Sequence, residues 1–163
     1  MANRMILNET AWFGRGAINA LTDEAVRRGY RKALIVTDST LARCGVAAKV
    51  TDKLDAAGLA WDIFSDVIPN PTIAVVQQGL QAFQRSGADY LIAIGGGSPQ
   101  DTYKAIGIIQ RNPEFADVRS LEGLSPTRQP SVPIFAVPTT AGTAAEVTIN
   151  YVITDEEQRR KFV

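Results

Sequence analysis

Three short apolar runs stand out from the polar background of the chain, and each is continuous rather than alternating. They cover residues 33–37, 90–94 and 133–137. A continuous apolar run is typical of a strand that is buried on both faces of a parallel sheet. Residues 61–64 predict a weaker fourth strand, and residues 5–7 with 11–13 predict an N-terminal hairpin.

Helical spacing separates these runs. Apolar residues three and four positions apart form three stripes: Ile18, Leu21 and Ala25; Ala47, Val50 and Leu54; and Ile73, Val76, Leu80 and Phe83. Residues 70–72, Asn-Pro-Thr, are a start signal for the third helix. The alternation of strand and helix predicts an α/β fold with a doubly wound, mostly parallel sheet.

The second half of the chain is less regular. Residues 112–132 are rich in Pro, Gly and polar side chains and predict a long loop, with a short helical turn at 118–122. Residues 146–153 predict a strand, residues 154–157 a turn, and residues 161–163 the start of another strand. Because natural domains rarely end inside a hairpin, we expect a fragment or the first lobe of a longer protein.

Composition narrows the function classes. The 163 residues are 45% hydrophobic with a formal net charge of zero, which disfavours a nucleic-acid partner. No apolar run has membrane-spanning length, and the N-terminus lacks the pattern of a signal peptide. One cysteine, Cys44, excludes an internal disulfide framework and has no expected role. We expect a cytoplasmic protein; since it contains no histidine, we do not expect it to hold a transition metal by itself.

Gly95-Gly96-Gly97-Ser98 is the most informative motif, because it lies between a buried strand and a helical pattern. Glycines let a ligand approach the backbone, and free amides at a helix start bind phosphate. Ser98 is the predicted N-cap, with Pro99 in the first helical position and Asp101 at the spacing of a capping box. A tight turn without a ligand is the alternative, but three glycines exceed what such a turn needs.

Asp38 follows the first strand and has two equally supported interpretations. Its carboxylate suits the hydroxyls of an adenine ribose and would repel a 2′-phosphate, which favours NAD over NADP. It also suits a simple cap of the turn at residues 38–40. Gly14-Arg15-Gly16 imitates a dinucleotide fingerprint about 20 residues earlier, but Asn19 stands where that pattern needs its third small residue.

Residues 138–143, Pro-Thr-Thr-Ala-Gly-Thr, follow the last strand of the predicted sheet. Such a stretch is commonly only a polar loop. Because these residues and the glycines both follow parallel strands, they lie at the same edge of the predicted sheet. That position favours contacts to a nucleotide or to a nicotinamide ribose. Glu146 and Lys161, taken by themselves, are solvated surface charges.

Together these residues resemble the iron-dependent (group III) alcohol dehydrogenases. The resemblance rests on residues 70–72, 95–101 and 138–148, and it extends through essentially the whole chain. Many members carry Gly-Ser where this chain has Ala144-Ala145. The resemblance implies a Rossmann-like fold of the kind found in the N-terminal domain of dehydroquinate synthase, with residues 1–163 as an NAD-binding domain.

The resemblance also implies roles for individual residues. Asp38 would bind the adenine ribose, Asn70 would lie near the adenosine half, and Lys161 would reach toward the ribose. The pyrophosphate would be held by Gly96, Gly97 and Ser98. The phosphate, the nicotinamide and the substrate cleft would be lined by Thr139, Thr140, Thr143, Asn150 and Val152.

The implied chemistry is hydride transfer between NADH and a small aldehyde, in an enzyme expected to be a homodimer. The metal, iron(II) or zinc, would be held by one Asp and three His of a helical C-terminal domain outside this chain, so these residues alone would not catalyse. Two alternatives stay open. One is a stand-alone nucleotide-binding module, and the other is a related enzyme such as a glycerol dehydrogenase or a dehydroquinate-synthase-like lyase.

Overall fold

A four-stranded parallel sheet forms the centre of the molecule. The structure, a computed structural model, describes residues 9–163. The strand order is β2-β1-β3-β4, and every neighbouring pair is parallel. The strands are β1 (Lys32–Val36), β2 (Ala60–Phe64), β3 (Tyr90–Gly95) and β4 (Ile134–Pro138).

Helices cover both faces of this sheet, which confirms the doubly wound arrangement. The helices of the described chain are α1 (Asn19–Arg27), α2 (Ser39–Arg43), α3 (Ala48–Ala56), α4 (Ile73–Ser86) and α5 (Gly97–Arg111). Alternate residues of β1 enter different cores: Ala33 and Ile35 pack with α1 and α3, whereas Leu34 and Val36 pack with α4 and α5. A strand buried on both faces needs apolar residues at every position, which explains the continuous runs.

The predicted start of α4 is confirmed. Thr72 is its N-cap, and the threonine hydroxyl accepts a hydrogen bond from the Val75 amide at 3.3 Å. Residues 70–72 therefore serve both as the end of the β2–α4 loop and as a helix signal, as the sequence indicates.

A small antiparallel hairpin follows the sheet, with strands β5 (Ile153–Asp155) and β6 (Arg160–Phe162). The prediction of a strand over 146–153 is wrong except for its last residue, because residues 146–152 run beside no partner strand and form turns and coil. The hairpin turn lies at 156–159, two residues later than predicted, since Thr154 and Asp155 belong to β5.

Other differences are smaller. β4 begins one residue later than predicted, and the long loop contains two 3₁₀ turns, Pro113–Phe115 and Val118–Leu121, the second close to the predicted position. Residues 11–13 form no strand, and residues 5–7 lie outside the described part of the chain, so the N-terminal hairpin is not confirmed. None of the helices described is long and apolar enough to cross a membrane.

Candidate functional site

The carboxyl edge of the sheet carries a topological switch point between β1 and β3. These strands are neighbours, but β1 is followed in the chain by β2 on one side and β3 by β4 on the other. The loops that leave β1 and β3 therefore diverge and leave a crevice between them, which is where α/β proteins bind ligands. Asp38 and the glycine motif follow these two strands directly.

The three glycines of the motif have different surroundings. Gly95 has φ +147°, and a Cβ there would lie 2.6 Å from Pro99 Cγ. A Cβ on Gly96 would lie 3.1 Å from Thr140 Oγ1, and one on Gly97 would lie 3.7 Å from Thr143 Cγ2. The glycine turn thus packs against the loop that follows β4. This agrees with the prediction that residues 95–98 and 138–143 lie at the same edge of the sheet.

Helix α5 starts without a side-chain cap. The prediction of Ser98 as N-cap is wrong: Gly96 is the N-cap and the helix begins at Gly97, two residues earlier than expected. Neither Ser98 nor Asp101 accepts a capping bond, and Pro99 has no amide to satisfy in this first turn. By contrast, Thr72 caps α4. The exposed positive end of α5 is therefore open to an anion.

Buried hydrogen bonds fix the glycine turn in place. The carbonyl of Gly95 accepts from the Thr139 amide at 3.0 Å and from Gln100 Nε2 at 3.2 Å. Thr37 Oγ1 donates to the carbonyl of Ile94 at 2.8 Å. Within the described residues, the buried Gln100 Oε1 has no hydrogen-bond partner. The turn is thus held by the residue after β1, by helix α5 and by the loop after β4 before any ligand arrives.

A cavity of about 260 Å³ opens beside the glycine turn. It brings together residues from five separate parts of the chain: Asn70, Pro71, Gly97, Ser98, Asp101, Thr143, Val152, Thr154 and Lys161. The resemblance assigned a site role to Asn70, Gly97, Ser98, Thr143, Val152 and Lys161 among these. The fold therefore collects them around one space.

The wall opposite the glycines is built by the β5–β6 hairpin. Lys161 Nζ donates to Asn70 Oδ1 at 2.7 Å, and the Thr154 amide donates to the carbonyl of Pro71 at 2.8 Å. Thr154 Oγ1 donates to the carbonyl of Asn70 at 3.2 Å. Lys161 is thus a cavity residue and not the isolated surface charge that its sequence context suggested.

Beneath the cavity lies a partly buried charge cluster that sequence reasoning missed. Burial raises the pKa of Asp101, while the Val152 amide and the charge of Lys104 act in the opposite direction. Lys104 Nζ donates to the carbonyl of Asn150 at 2.8 Å and to Thr148 Oγ1 at 3.3 Å. Burial lowers the pKa of Lys104, and the carboxylates of Asp101 and Glu146 oppose that shift. The only sequence signal was the spacing of Asp101 and Lys104, one helical turn apart at the start of α5.

The remaining predicted residues do not line this cavity. Asp38 is the N-cap of α2, and its Oδ1 accepts from the amides of Thr40 and Leu41, each at 2.9 Å. The capping interpretation of Asp38 is therefore correct, and its Oδ2 makes no hydrogen bond within the described residues. Asn150 is exposed and contributes its carbonyl to Lys104.

Two threonines of the loop after β4 contact the glycine turn. The Thr139 amide continues the β3–β4 ladder, and Thr140 lies against Gly96, so both reach the glycine turn rather than the cavity. Cys44 is exposed at the end of α2.

A metal ion has no evident ligand set in the described part of the chain. No group of three or more His, Cys, Asp or Glu side chains within residues 9–163 is arranged to hold one. The residues at the carboxyl edge are amides, hydroxyls and single charges, which suit a phosphate-bearing nucleotide rather than a transition metal.

A family profile described as iron-containing alcohol dehydrogenase matches residues 8–163. The chain belongs to the iron-containing alcohol dehydrogenase family. It is 82% identical over all 163 residues to lactaldehyde reductase of Escherichia coli strain K12, and it spans 43% of the length of that relative.

Solved structures of longer chains share the fold. A 1,3-propanediol oxidoreductase is 38% identical with a TM-score of 0.90, and the match covers 98% of this chain and 42% of that one. A sulfoacetaldehyde reductase from Bifidobacterium kashiwanohense, solved in complex with NAD⁺, is 29% identical with a TM-score of 0.86; the match covers 99% and 42% of the two chains. The α/β domain described above is thus the common part of these longer chains.

Proposed function

We propose that this chain is the NAD-binding domain of an oxidoreductase that interconverts lactaldehyde and 1,2-propanediol. The observation that carries this proposal is the 82% identity to the E. coli lactaldehyde reductase over every residue of the chain. The NAD⁺ complex of a more distant relative with the same fold supports the choice of cofactor.

The uncapped start of α5 suits the pyrophosphate of NAD. The amides of Gly97 and Ser98 lie in the first helical turn, where no side chain accepts from them, and the positive end of the helix dipole faces the same space. Because Gly96 and Gly97 carry no side chain, a phosphate can approach the backbone closely. These features make the glycine turn the phosphate subsite of the proposal.

The two halves of NAD would extend from this subsite in opposite directions. The adenine ribose would lie toward Asp38 and Asn70, which follow β1 and β2. Oδ1 of Asp38 caps α2, and the second carboxylate oxygen would accept from a ribose hydroxyl. Thr139, Thr140, Thr143 and Val152 would contact the phosphate and nicotinamide part, and Asn150 would line the substrate cleft. Lys161, which bonds to Asn70, would reach a ribose.

When bound, NAD supplies the hydride acceptor and donor, while the protein supplies orientation. In this chain the residues around the cavity would hold the nicotinamide ring and its ribose. We further propose that the iron or zinc ligands lie outside these 163 residues, and we derive no step through the metal. A homodimer and a place in fucose and rhamnose breakdown belong to the same proposal and rest on the resemblance alone. A cytoplasmic location is also part of it and rests on the single cysteine and on the lack of a signal-peptide pattern.

The proposed substrate is tested by steady-state kinetics of the full-length protein with ferrous iron. Lactaldehyde is reduced with NADH, and in the reverse direction 1,2-propanediol and glycerol are each oxidised with NAD⁺. We expect the highest kcat/KM with lactaldehyde in the first direction and with 1,2-propanediol in the second. A preference for glycerol would favour the related dehydrogenase instead. The 163-residue chain, assayed in parallel, is expected to show no turnover.

A further inference from the structure

We propose that Arg119 is a positioning residue of the NAD site, because its ion pair with Asp155 holds the β5–β6 hairpin where Thr154 and Lys161 complete the cavity. Arg119 lies in the 3₁₀ turn Val118–Leu121 and lines no part of the cavity itself. The inference rests on the proposed function, since it assigns a role within the same site.

The ion pair is tight and directional. Arg119 Nε donates to Asp155 Oδ2 at 2.6 Å, and its Nη2 donates to Oδ1 at 3.3 Å. The Asp155 side chain is fully buried, whereas that of Arg119 is 29% exposed. Arg119 lowers the pKa of Asp155 to about 2, so the carboxylate is ionised at neutral pH. A two-point contact of this kind fixes orientation as well as distance.

Asp155 also closes the hairpin. Its Oδ1 accepts from the amides of Glu157 at 3.0 Å and Gln158 at 3.1 Å, both in the turn between the strands. Arg119 Nη2 reaches the same turn through Glu157 Oε2 at 2.7 Å. One buried carboxylate therefore joins the turn of the hairpin to the 3₁₀ turn beneath it.

The hairpin in turn presents the cavity residues. Thr154 adjoins Asp155 in β5, and it pairs across the ladder with Lys161 of β6. Both residues bond to the β2–α4 loop, Thr154 to Pro71 and Lys161 to Asn70. A shift of the hairpin would therefore move both contacts together.

A hairpin of three residues per strand does not hold its own position. Ile153 and Phe162 bury its apolar side in the core, which keeps it docked. The apolar contacts are non-directional, whereas the Arg119–Asp155 pair specifies angle. The exposed two-point pair of Arg160 with Glu122 is a second directional contact of the hairpin. Without Arg119 we expect the hairpin to stay docked but to lose part of its orientation toward Asn70 and Pro71.

Calorimetric titration of the 163-residue chain with NAD tests the inference, using Arg119→Met and Arg119→Lys. We expect Arg119→Met to weaken NAD binding about tenfold, comparable to losing one hydrogen bond to a charged group. Arg119→Lys keeps the charge but not the two-point contact, so it should recover part of the loss. Arg27→Met is the matched control, since Arg27 also bonds a carboxylate, Glu24, through two nitrogens, on a helix that does not line the cavity.

A double-mutant cycle separates positioning from general stability. If Arg119 acts through Lys161 and Thr154, then Arg119→Met should cost less affinity in a Lys161→Ala chain than in the unmutated chain. Unchanged NAD affinity in Arg119→Met, or losses that simply add, would overturn the inference. An unmutated chain that fails to bind NAD would instead contradict the proposed function.

Hydrogen exchange supplies a readout without NAD. The Thr154 amide is bonded to Pro71, so its exchange should accelerate in ligand-free Arg119→Met and stay unchanged in Arg27→Met. Equal exchange of this amide in the unmutated chain and in Arg119→Met would overturn the inference even if the cofactor assignment were wrong.

Discussion

Replacing Gly97 by alanine should separate NAD binding from stability. Gly97 is the first residue of α5 and has an ordinary helical conformation, so a Cβ is sterically allowed. That Cβ would lie 3.7 Å from Thr143 Cγ2, and both residues line the cavity. The added methyl group therefore enters the space proposed for the cofactor without disturbing the fold.

The magnitudes follow from this geometry. Alanine is preferred over glycine in a helix by up to about 1 kcal/mol, so the free energy of unfolding of Gly97→Ala should be unchanged or slightly higher. If the methyl prevents one amide from reaching a phosphate oxygen, the cost is about 1.5–3 kcal/mol. NAD affinity should then fall roughly tenfold to a hundredfold.

Two other glycines provide the comparison. A Cβ on Gly58 would meet no atom within 4 Å, but at φ +69° Gly58→Ala should lose about 1–2 kcal/mol of stability with NAD affinity unchanged. Gly95→Ala combines φ +147° with a Cβ 2.6 Å from Pro99 Cγ and should be severely destabilised. Urea unfolding and calorimetry on the three variants give both quantities. Full NAD affinity in a stable Gly97→Ala chain would refute the placement of the pyrophosphate.

Three further predictions concern single side chains. Asp38→Asn keeps an oxygen that can cap α2 but removes the charge, so paired titrations should show NADP gaining on NAD while stability holds; Asp38→Ala should also lose about 1 kcal/mol in urea unfolding. Because Arg119 holds the pKa of Asp155 at about 2 against 3.8 for the free carboxyl, the pair's stabilisation is complete above pH 3.8 and lost as the pH falls toward 2. Unfolding midpoints between pH 5 and 2 should therefore fall less steeply in Asp155→Asn. Thr72→Ala should cost about 1 kcal/mol of unfolding free energy, measured in urea, through loss of the α4 cap.

The central fold could be predicted from the sequence because a strand that is buried on both faces of the sheet requires an unbroken run of apolar residues. β1 and β3 show such runs, and α4 shows a clear apolar stripe between Thr72 and the end of the helix. The short helix α2 was not predicted, because five residues without a buried side chain carry no apolar period. The sequence indicated that Asp38 can act as a cap, but it did not show the length of the helix that Asp38 caps.

Where the structure depends on distant contacts, the sequence misled. Residues 146–152 have the β-branched composition of a strand, but composition does not reveal whether a partner strand is present. Ser98-Pro99 has the order of an N-cap and a first helical residue, yet β3 ends at Gly95 and α5 begins at Gly97 with Gly96 as its N-cap.

In the candidate site, too, features that depend on local sequence were predicted, whereas features that depend on distant contacts were not. The glycine turn was found from local sequence, because the need for small residues is local. Lys161 was assigned to the site only through the resemblance. Asp101 was expected in a capping box, which the structure does not show, and Lys104 was not singled out, because its contacts are with the loop that folds back over α5. Lys161 and Asn70 are 91 positions apart, and only the hairpin brings them to 2.7 Å.

Calorimetric titration of the unmutated 163-residue chain with NAD and with NADP tests whether these residues form an NAD-binding domain. We expect one site per chain for NAD, with NADP bound more weakly because its 2′-phosphate meets the charge of Asp38. No heat of binding with either nucleotide, under conditions where the chain is shown to be folded, would contradict the claim that these residues form an NAD-binding domain.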